Sequence, residues 1–247
     1  MDLIRLDLSR NNLSGEYRVC AFKRTCSSPT VTDGCYQTLS GPFPIYSDYL
    51  RRLEHLDISA NDFTGHVDVL LYPSLISIDV SNNKFTTAGF RRFHESFHSL
   101  KEVDLSSNLI SQDVSELLLN IPPALEDCDF SNNDIFGILP KDFPLAQVLF
   151  FSMSNNHISG PLPDFPSTSR KLKHLALANN HLTGTIHDDF FKLDGLNVLD
   201  LSGNKLRENI PSSLGDLTQL NTLKLSSNLL SESIPLKLGR LKGKWSH

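Results

Sequence analysis

The sequence predicts an α/β solenoid of about nine stacked units, with a parallel β-sheet running along one side. Three observations carry this reading. The frame Leu-x-x-Leu-x-Leu-x-x-Asn-x-Leu recurs with its Asn at Asn11, Asn61, Asn83, Asn108, Asn133, Asn156, Asn180, Asn204 and Asn228. Successive separations are 50, 22, 25, 25, 23, 24, 24 and 24 residues, a period that belongs to stacked units rather than to a globular fold. Within each frame the residues alternate, as where Leu6 and Leu8 flank Asp7, so that a short strand turns one row inward and the other to solvent.

The elements follow in chain order. Leu13-Ser14-Gly15 returns as Leu39-Ser40-Gly41, after which the phase resumes, so the first gap holds 26 extra residues. Residues 1–247 therefore read as one solenoid domain with a Cys-containing loop inserted at about 14–39. Cys20, Cys26 and Cys35 lie in that loop among Ser27, Ser28, Pro29, Thr30 and Gly34, which mark an irregular surface excursion. Three thiols predict one disulfide with one left over, and the close Cys-x-x-Cys pairs of zinc sites are missing.

On the outer side of the third unit, Phe90, Phe93 and Phe97 make an apolar stripe at helical spacing. The same segment contains His94-Glu95-Ser96-Phe97-His98, the His-Glu-x-x-His pattern in which two His a turn apart hold zinc and the Glu activates water. The stripe accounts for the segment without a metal. Cys128 occupies a Leu place in its frame and reads as a buried small apolar residue rather than a nucleophile. Phe143, Phe190, Leu214 and Leu238 recur on the outer side and are expected to pack beneath short helical or extended segments.

Two polar columns run through the frames. The Asn column has a structural reason, because an amide at the turn satisfies backbone groups that would otherwise be buried without partners. Asp7, Asp57, Asp79, Asp104, Asp129 and Asp200 stand between the two inward residues of their strands and read as a solvated strand face. His157 and His181 follow the Asn in adjacent units, and with no carboxylate or thiol beside them they are not expected to hold a metal.

These residues resemble the leucine-rich repeat family across nearly the whole chain outside the insert. Leu220-Asn221-Thr222-Leu223-Lys224-Leu225-Ser226-Ser227-Asn228-Leu229-Leu230 matches the family frame, and the tails Ser159-Gly160-Pro161-Leu162-Pro163 and Asn209-Ile210-Pro211 look like its plant-type subclass. The subclass Gly stands at Gly41, Gly65, Gly137, Gly160 and Gly184 and is replaced at Thr87, Gln112, Glu208 and Glu232. The resemblance implies a right-handed superhelix with the parallel sheet on its concave face. It also implies non-catalytic recognition of a protein or peptide, as the ligand-binding region of a receptor-like or secreted protein, with inhibition of a secreted hydrolase as the alternative.

Composition narrows the remaining classes. With 23 basic against 28 acidic side chains, a net charge of −5 argues against nucleic acid as a partner. No apolar run approaches the length of a membrane helix. No catalytic, cofactor or metal residues are assigned, and a zinc hydrolase built on residues 94–98 is the rival of a different class. The plant-type resemblance and the cysteine loop favour the cell surface or the extracellular space, while residues 1–15 lack a signal-peptide pattern and leave the cytoplasm open. The frame begins at Leu3 and the tail 241–247 stops where another unit would start, so the chain is expected to belong to a longer protein.

The expected footprint lies on the sixth unit. Alternation turns Phe151 and Met153 inward and leaves Leu149 and Phe150 at places that other units give mostly to polar residues. An apolar centre flanked by Asp127, Asp129, Ser152, Lys173, His174 and Val198 is the arrangement in which interfaces concentrate their energy.

Overall fold

Each unit buries what its frame makes apolar and stacks on the next. The computed structural model describes residues 4–11, 41–42, 52–68, 74–89, 99–119, 121–141, 145–165, 169–188, 192–241 and 244–245, with backbone alone at 41–42, 68 and 244–245. The insert at 14–39, with Cys20, Cys26 and Cys35, lies outside the described residues, as do residues 90–98, Phe143 and Phe190.

A ten-stranded parallel sheet runs the length of the molecule in chain order. Its strands are Arg5–Asp7, His55–Asp57, Ser77–Asp79, Glu102–Asp104, Asp127–Asp129, Phe150–Ser152, His174–Ala176, Val198–Asp200, Thr222–Lys224 and Lys244–Trp245. The last strand follows the ninth Asn frame, so the sequence count of about nine is one short of the strand count. Pairing is residue for residue: Phe150 lies level with Asp127 on one side and His174 on the other, and His174 with Val198.

The inward row is a continuous core. Leu56, Ile78, Val103, Cys128, Phe151, Leu175 and Leu199 occupy one place of the frame and are each at most 4% exposed. Ile58, Val80, Leu105, Phe130, Met153, Leu177 and Leu201 fill the next inward place and are fully buried. Burying such a side chain contributes about 1.5–3 kcal/mol, and since no unit can do so alone, stability is a sum over neighbouring interfaces. Cys128 sits among them at 0% exposure, with burial pushing its thiol far above the ordinary range. Leu214 and Leu238 are buried on the outer side.

At the turn after each of the first nine strands one residue enters the left-handed region: Arg10, Ala60, Asn82, Ser107, Asn132, Asn155, Asn179, Gly203 and Ser227 all have φ between 52° and 67°. The frame Asn that follows ties this turn to both neighbours. Asn156 Nδ2 donates to the carbonyls of Met153 and Ser154 in its own turn and of Phe130 in the preceding unit, while its Oδ1 accepts the Ile135 N–H. Asn61, Asn83, Asn108, Asn133, Asn180, Asn204 and Asn228 each donate in the same way to the preceding unit. Asn11 donates within its own turn, to Leu8 and Ser9.

Among the described residues, strand outweighs helix on the outer side. Among the described residues its α-helical part is α1, the five residues Val114–Leu118, capped by Asp113, which accepts the Ser115 N–H. Short 3-10 turns at Ser169–Lys171, Ser212–Asp216 and Leu236–Arg240 complete other units. Second strands fill much of the rest, in a three-stranded sheet (Gly41–Pro42, Phe63–Asp68, Lys84–Gly89) and a five-stranded one (Phe136–Ile138, His157–Pro161, His181–Gly184, Lys205–Glu208, Leu229–Leu230).

The subclass Gly explains why these tails extend. At Gly137 φ is +101°, and a Cβ there would stand 2.5 Å from an Asp113 carboxylate oxygen. Glu208 and Glu232 hold the equivalent place at φ 67°, a conformation costly for a residue with a side chain. Gln112 takes a different course: its side-chain amide accepts the Ala88 N–H and donates to the Ala88 carbonyl. One side chain thus stands in for a strand where the two outer sheets part.

Candidate functional site

Strand alternation leaves two columns of side chains on the face of the long sheet turned away from the core. The first residues of the strands form one column: Arg5, His55, Ser77, Glu102, Asp127, Phe150, His174, Val198 and Thr222. The third residues form the other: Asp7, Asp57, Asp79, Asp104, Asp129, Ser152, Ala176, Asp200 and Lys224. The parallel register places neighbours in each column side by side, at the roughly 4.8 Å spacing of adjacent strands.

The two columns divide the face. Over the first five strands every third-position residue is Asp, and Glu102 and Asp127 add carboxylates in the other column. A groove of about 630 Å³ follows this stretch from Arg5 and Asp7 to Asp129 and closes against Phe150. Burial raises the Asp104 carboxyl above its ordinary value, its bonds to Ser106 pull the other way, and Asp79 and Asp129 raise it further. Burial raises Asp127 as well, reinforced by Glu102 and Glu126.

These Asp side chains are more than the solvated face the sequence suggested. Asp7, Asp57, Asp79, Asp104, Asp129 and Asp200 each accept through Oδ1 the N–H of the Ser two residues on, at 2.8–3.1 Å. A short carboxylate beside a turn does this readily, which is why the residue recurs.

From the sixth strand the character changes. Ser152 and Ala176 replace Asp and are almost fully buried. Phe150 is half-buried with its ring centroid 4.5 Å from that of His174. Leu149 and Val198 are half-buried beside them, and Lys173 is exposed. Burial holds the His174 imidazole below its ordinary value, partly opposed by Asp200 and Asp129. Beyond this patch Asp200 meets Lys224 at 3.0 Å. The eight residues singled out in the sequence, Asp127, Asp129, Leu149, Phe150, Ser152, Lys173, His174 and Val198, thus come from four consecutive units, though Ser152 contributes little surface. Sequence reading passed over Glu102 and the groove, which emerge once the frames are aligned and the outward positions read down the stack.

A second amide chain marks the turns of this region. Asn155 Nδ2 donates to Asn132 Oδ1 at 2.9 Å, and Asn179 Nδ2 to Asn155 Oδ1 at 2.7 Å. Gly203 ends the chain, because a Cβ there would stand 2.1 Å from Asn179 Oδ1.

At the edge of the face, His157 and His181 stack with ring centroids 5.8 Å apart. Contrary to the sequence expectation a carboxylate is beside them: Asp134 Oδ1 lies 3.3 Å from His157 Nε2. The cause is that all three follow the frame Asn of consecutive units. Among the described residues no group of three His, Cys, Asp or Glu side chains is arranged to hold a metal ion. The His94–His98 motif lies outside the described residues. No described helix is long and apolar enough to cross a membrane.

With this geometry in view, comparison with known proteins is decisive for the family. The Leucine rich repeat family model matches residues 170–230. Receptor-like protein 54 of Arabidopsis thaliana is 32% identical over 166 residues, which are 65% of this chain and 19% of that protein. Receptor-like protein 18 of the same plant is 35% identical over 177 residues, 69% of this chain and 21% of that protein. Among solved structures, the leucine-rich repeat ectodomain of the Arabidopsis thaliana receptor kinase GASSHO1/SCHENGEN3, in complex with CASPARIAN STRIP INTEGRITY FACTOR 2, superposes with a TM-score of 0.78 at 28% identity, covering 97% of this chain and 26% of that one. The chain is a plant-type leucine-rich repeat protein.

A second structure is similar to this leucine-rich repeat chain: the Arabidopsis receptor kinase HAESA, in complex with the peptide hormone IDA and the co-receptor SERK1, with a TM-score of 0.72 at 29% identity, covering 86% of this chain and 36% of that one. The aligned part of the repeat chain spans about a fifth of the length of these receptor-like relatives.

Proposed function

We propose that the protein is a non-catalytic recognition module that binds a protein or peptide ligand on the outward face of its long sheet. Its anchor is Leu149 and Phe150, flanked by Asp127, Asp129, Ser152, Lys173, His174 and Val198. One observation carries the reading: a half-exposed aromatic residue, paired with the His174 ring, stands in a column that other units fill mostly with polar side chains. The inward core is complete without it, since Phe151 and Met153 already fill the two inward places of that unit at 0% exposure. Aromatic residues at the centre of a face with polar neighbours are where binding energy concentrates. The similarity to HAESA, a receptor kinase solved with a peptide hormone, supports the ligand class.

A random peptide library displayed on phage and selected on the immobilised protein tests this. Enriched peptides are expected to lose at least about tenfold in affinity for Phe150→Ala and to weaken on Leu149→Ser, in variants whose melts match the parent. Enriched peptides that bind parent and both variants alike would overturn the footprint.

A further inference from the structure

On the open face, carboxylates that the protein neutralises with its own cations can be told from those it does not. Asp200 has Lys224 at 3.0 Å, and Glu126 has Lys101 at 2.9 Å. Asp57, Asp79, Asp104, Asp129, Glu102 and Asp127 face the groove, and among the described residues no Lys or Arg pairs with them; only at the far end does a cation enter the lining, where Arg5 stands with Asp7. Asp104 and Asp127 show the consequence, since burial and their carboxylate neighbours both disfavour the charged form. A groove that collects negative charge between low-dielectric walls attracts and orients cations.

The groove also has direction, because its lining runs from Arg5 and Asp7 on the first strand to Phe150 on the sixth. We infer that the ligand is an extended cationic peptide with an apolar or aromatic residue at one end, which rests on Phe150 and Leu149 while Lys or Arg side chains reach the carboxylates of the preceding four strands. The size of that segment follows from spacing. Four inter-strand steps of 4.8 Å make about 19 Å, which an extended chain covers in about six residues. Alternate residues face the same way, so about three basic side chains point into the groove.

This inference rests on the recognition reading above and names the ligand's chemistry. Its test uses synthetic peptides as probes: fluorescein-labelled Phe-Lys-Gly-Lys-Gly-Lys-Gly-Lys, the same peptide with Glu for Lys, and the same with Ser for Lys. Anisotropy titrations at low salt are expected to rank Lys over Ser over Glu, with the Lys peptide at least about tenfold tighter than the Ser peptide and losing most of that advantage at 0.3 M salt. Glu102→Gln with Asp127→Asn, neither of whose side chains accepts a hydrogen bond among the described residues, is expected to weaken the Lys peptide about tenfold and the Ser peptide by far less. Asp104→Asn keeps an acceptor for the Ser106 N–H and is expected to act in the same direction.

Equal affinity for Lys and Ser peptides, or a Lys preference that survives the Glu102→Gln/Asp127→Asn change, would overturn the inference. Equal affinity for the two peptides, with both still depending on Phe150, would leave the recognition reading standing while removing the cationic one.

Discussion

The first five strands of the long sheet and the two that follow share one frame and present different chemistry. In both halves the inward places are filled by Leu, Ile, Val, Phe, Cys or Met, and the frame Asn makes the same set of bonds. Outward, the first half repeats Asp at every third strand position, and the second substitutes Ser152 and Ala176 beside an aromatic pair. The contrast teaches that stability and recognition sit on different residues of the same strand. Inward side chains are constrained by both neighbouring units, and outward ones answer to whatever docks.

The largest expected effect tests whether the frame is indifferent to the half it serves. Asn83 and Asn156 both donate to three carbonyls and accept one N–H, so alanine at either site is expected to lower stability by about 1–3 kcal/mol or more, through buried backbone groups left without partners. Denaturant melts should place both losses within about 0.5 kcal/mol of each other, while exposed His157→Ala changes little. A cost at Asn83 far from that at Asn156 would break the comparison.

Gly203→Ala comes next. It forces a Cβ against Asn179 at φ +67° and is expected to cost about 1–2 kcal/mol, measured in the same melts. Asn179→Ala in the same background should recover part of that loss, since it removes the oxygen the Cβ would meet. Smaller again is Glu208→Gly, which relieves a positive φ and should stabilise by about 0.5–1 kcal/mol, less whatever the freer unfolded chain gives back.

The smallest effect is the pH dependence that His174 contributes in the second half. Burial lowers the His174 value in the folded state from the ordinary 6.5, so below that pH the unfolded chain binds more protons than the folded one. The contribution of neutral His174 is complete above pH 6.5 and is lost as the pH falls through the folded value. His174→Gln should flatten the stability profile in that window, and an unchanged profile would assign the dependence to another group.

Much of this was legible in the sequence, for physical reasons. The Asn and Leu places recur because each unit repeats the same burial problem, so they announce themselves by period, and Cys128 is recognised as core from its place in the frame. What the sequence hid depends on neighbours in the stack. The second strands of the outer side follow from local tails, but Gln112 replacing a strand at Ala88 is visible only in space. The Asp column reads as solvated from alternation alone, because its bond to the turn N–H needs the turn geometry as well as a short carboxylate. Asp134 beside His157 and the groove along the first five strands appear only when consecutive frames are laid side by side. Of the candidate footprint, the inward assignment of Phe151 and Met153 followed from alternation, whereas the contact of Phe150 with His174 needed the register.

The most direct test of the separation between frame and face is a paired measurement on Phe150→Ala and Asn156→Ala: a denaturant melt of each, and a titration of each with one peptide selected on the parent protein. The account predicts that Phe150→Ala melts within about 0.5 kcal/mol of the parent and loses about 2 kcal/mol of binding, while Asn156→Ala loses stability and, below its melt, keeps its affinity. A Phe150→Ala variant that unfolds early, or one that binds as tightly as the parent, would contradict it.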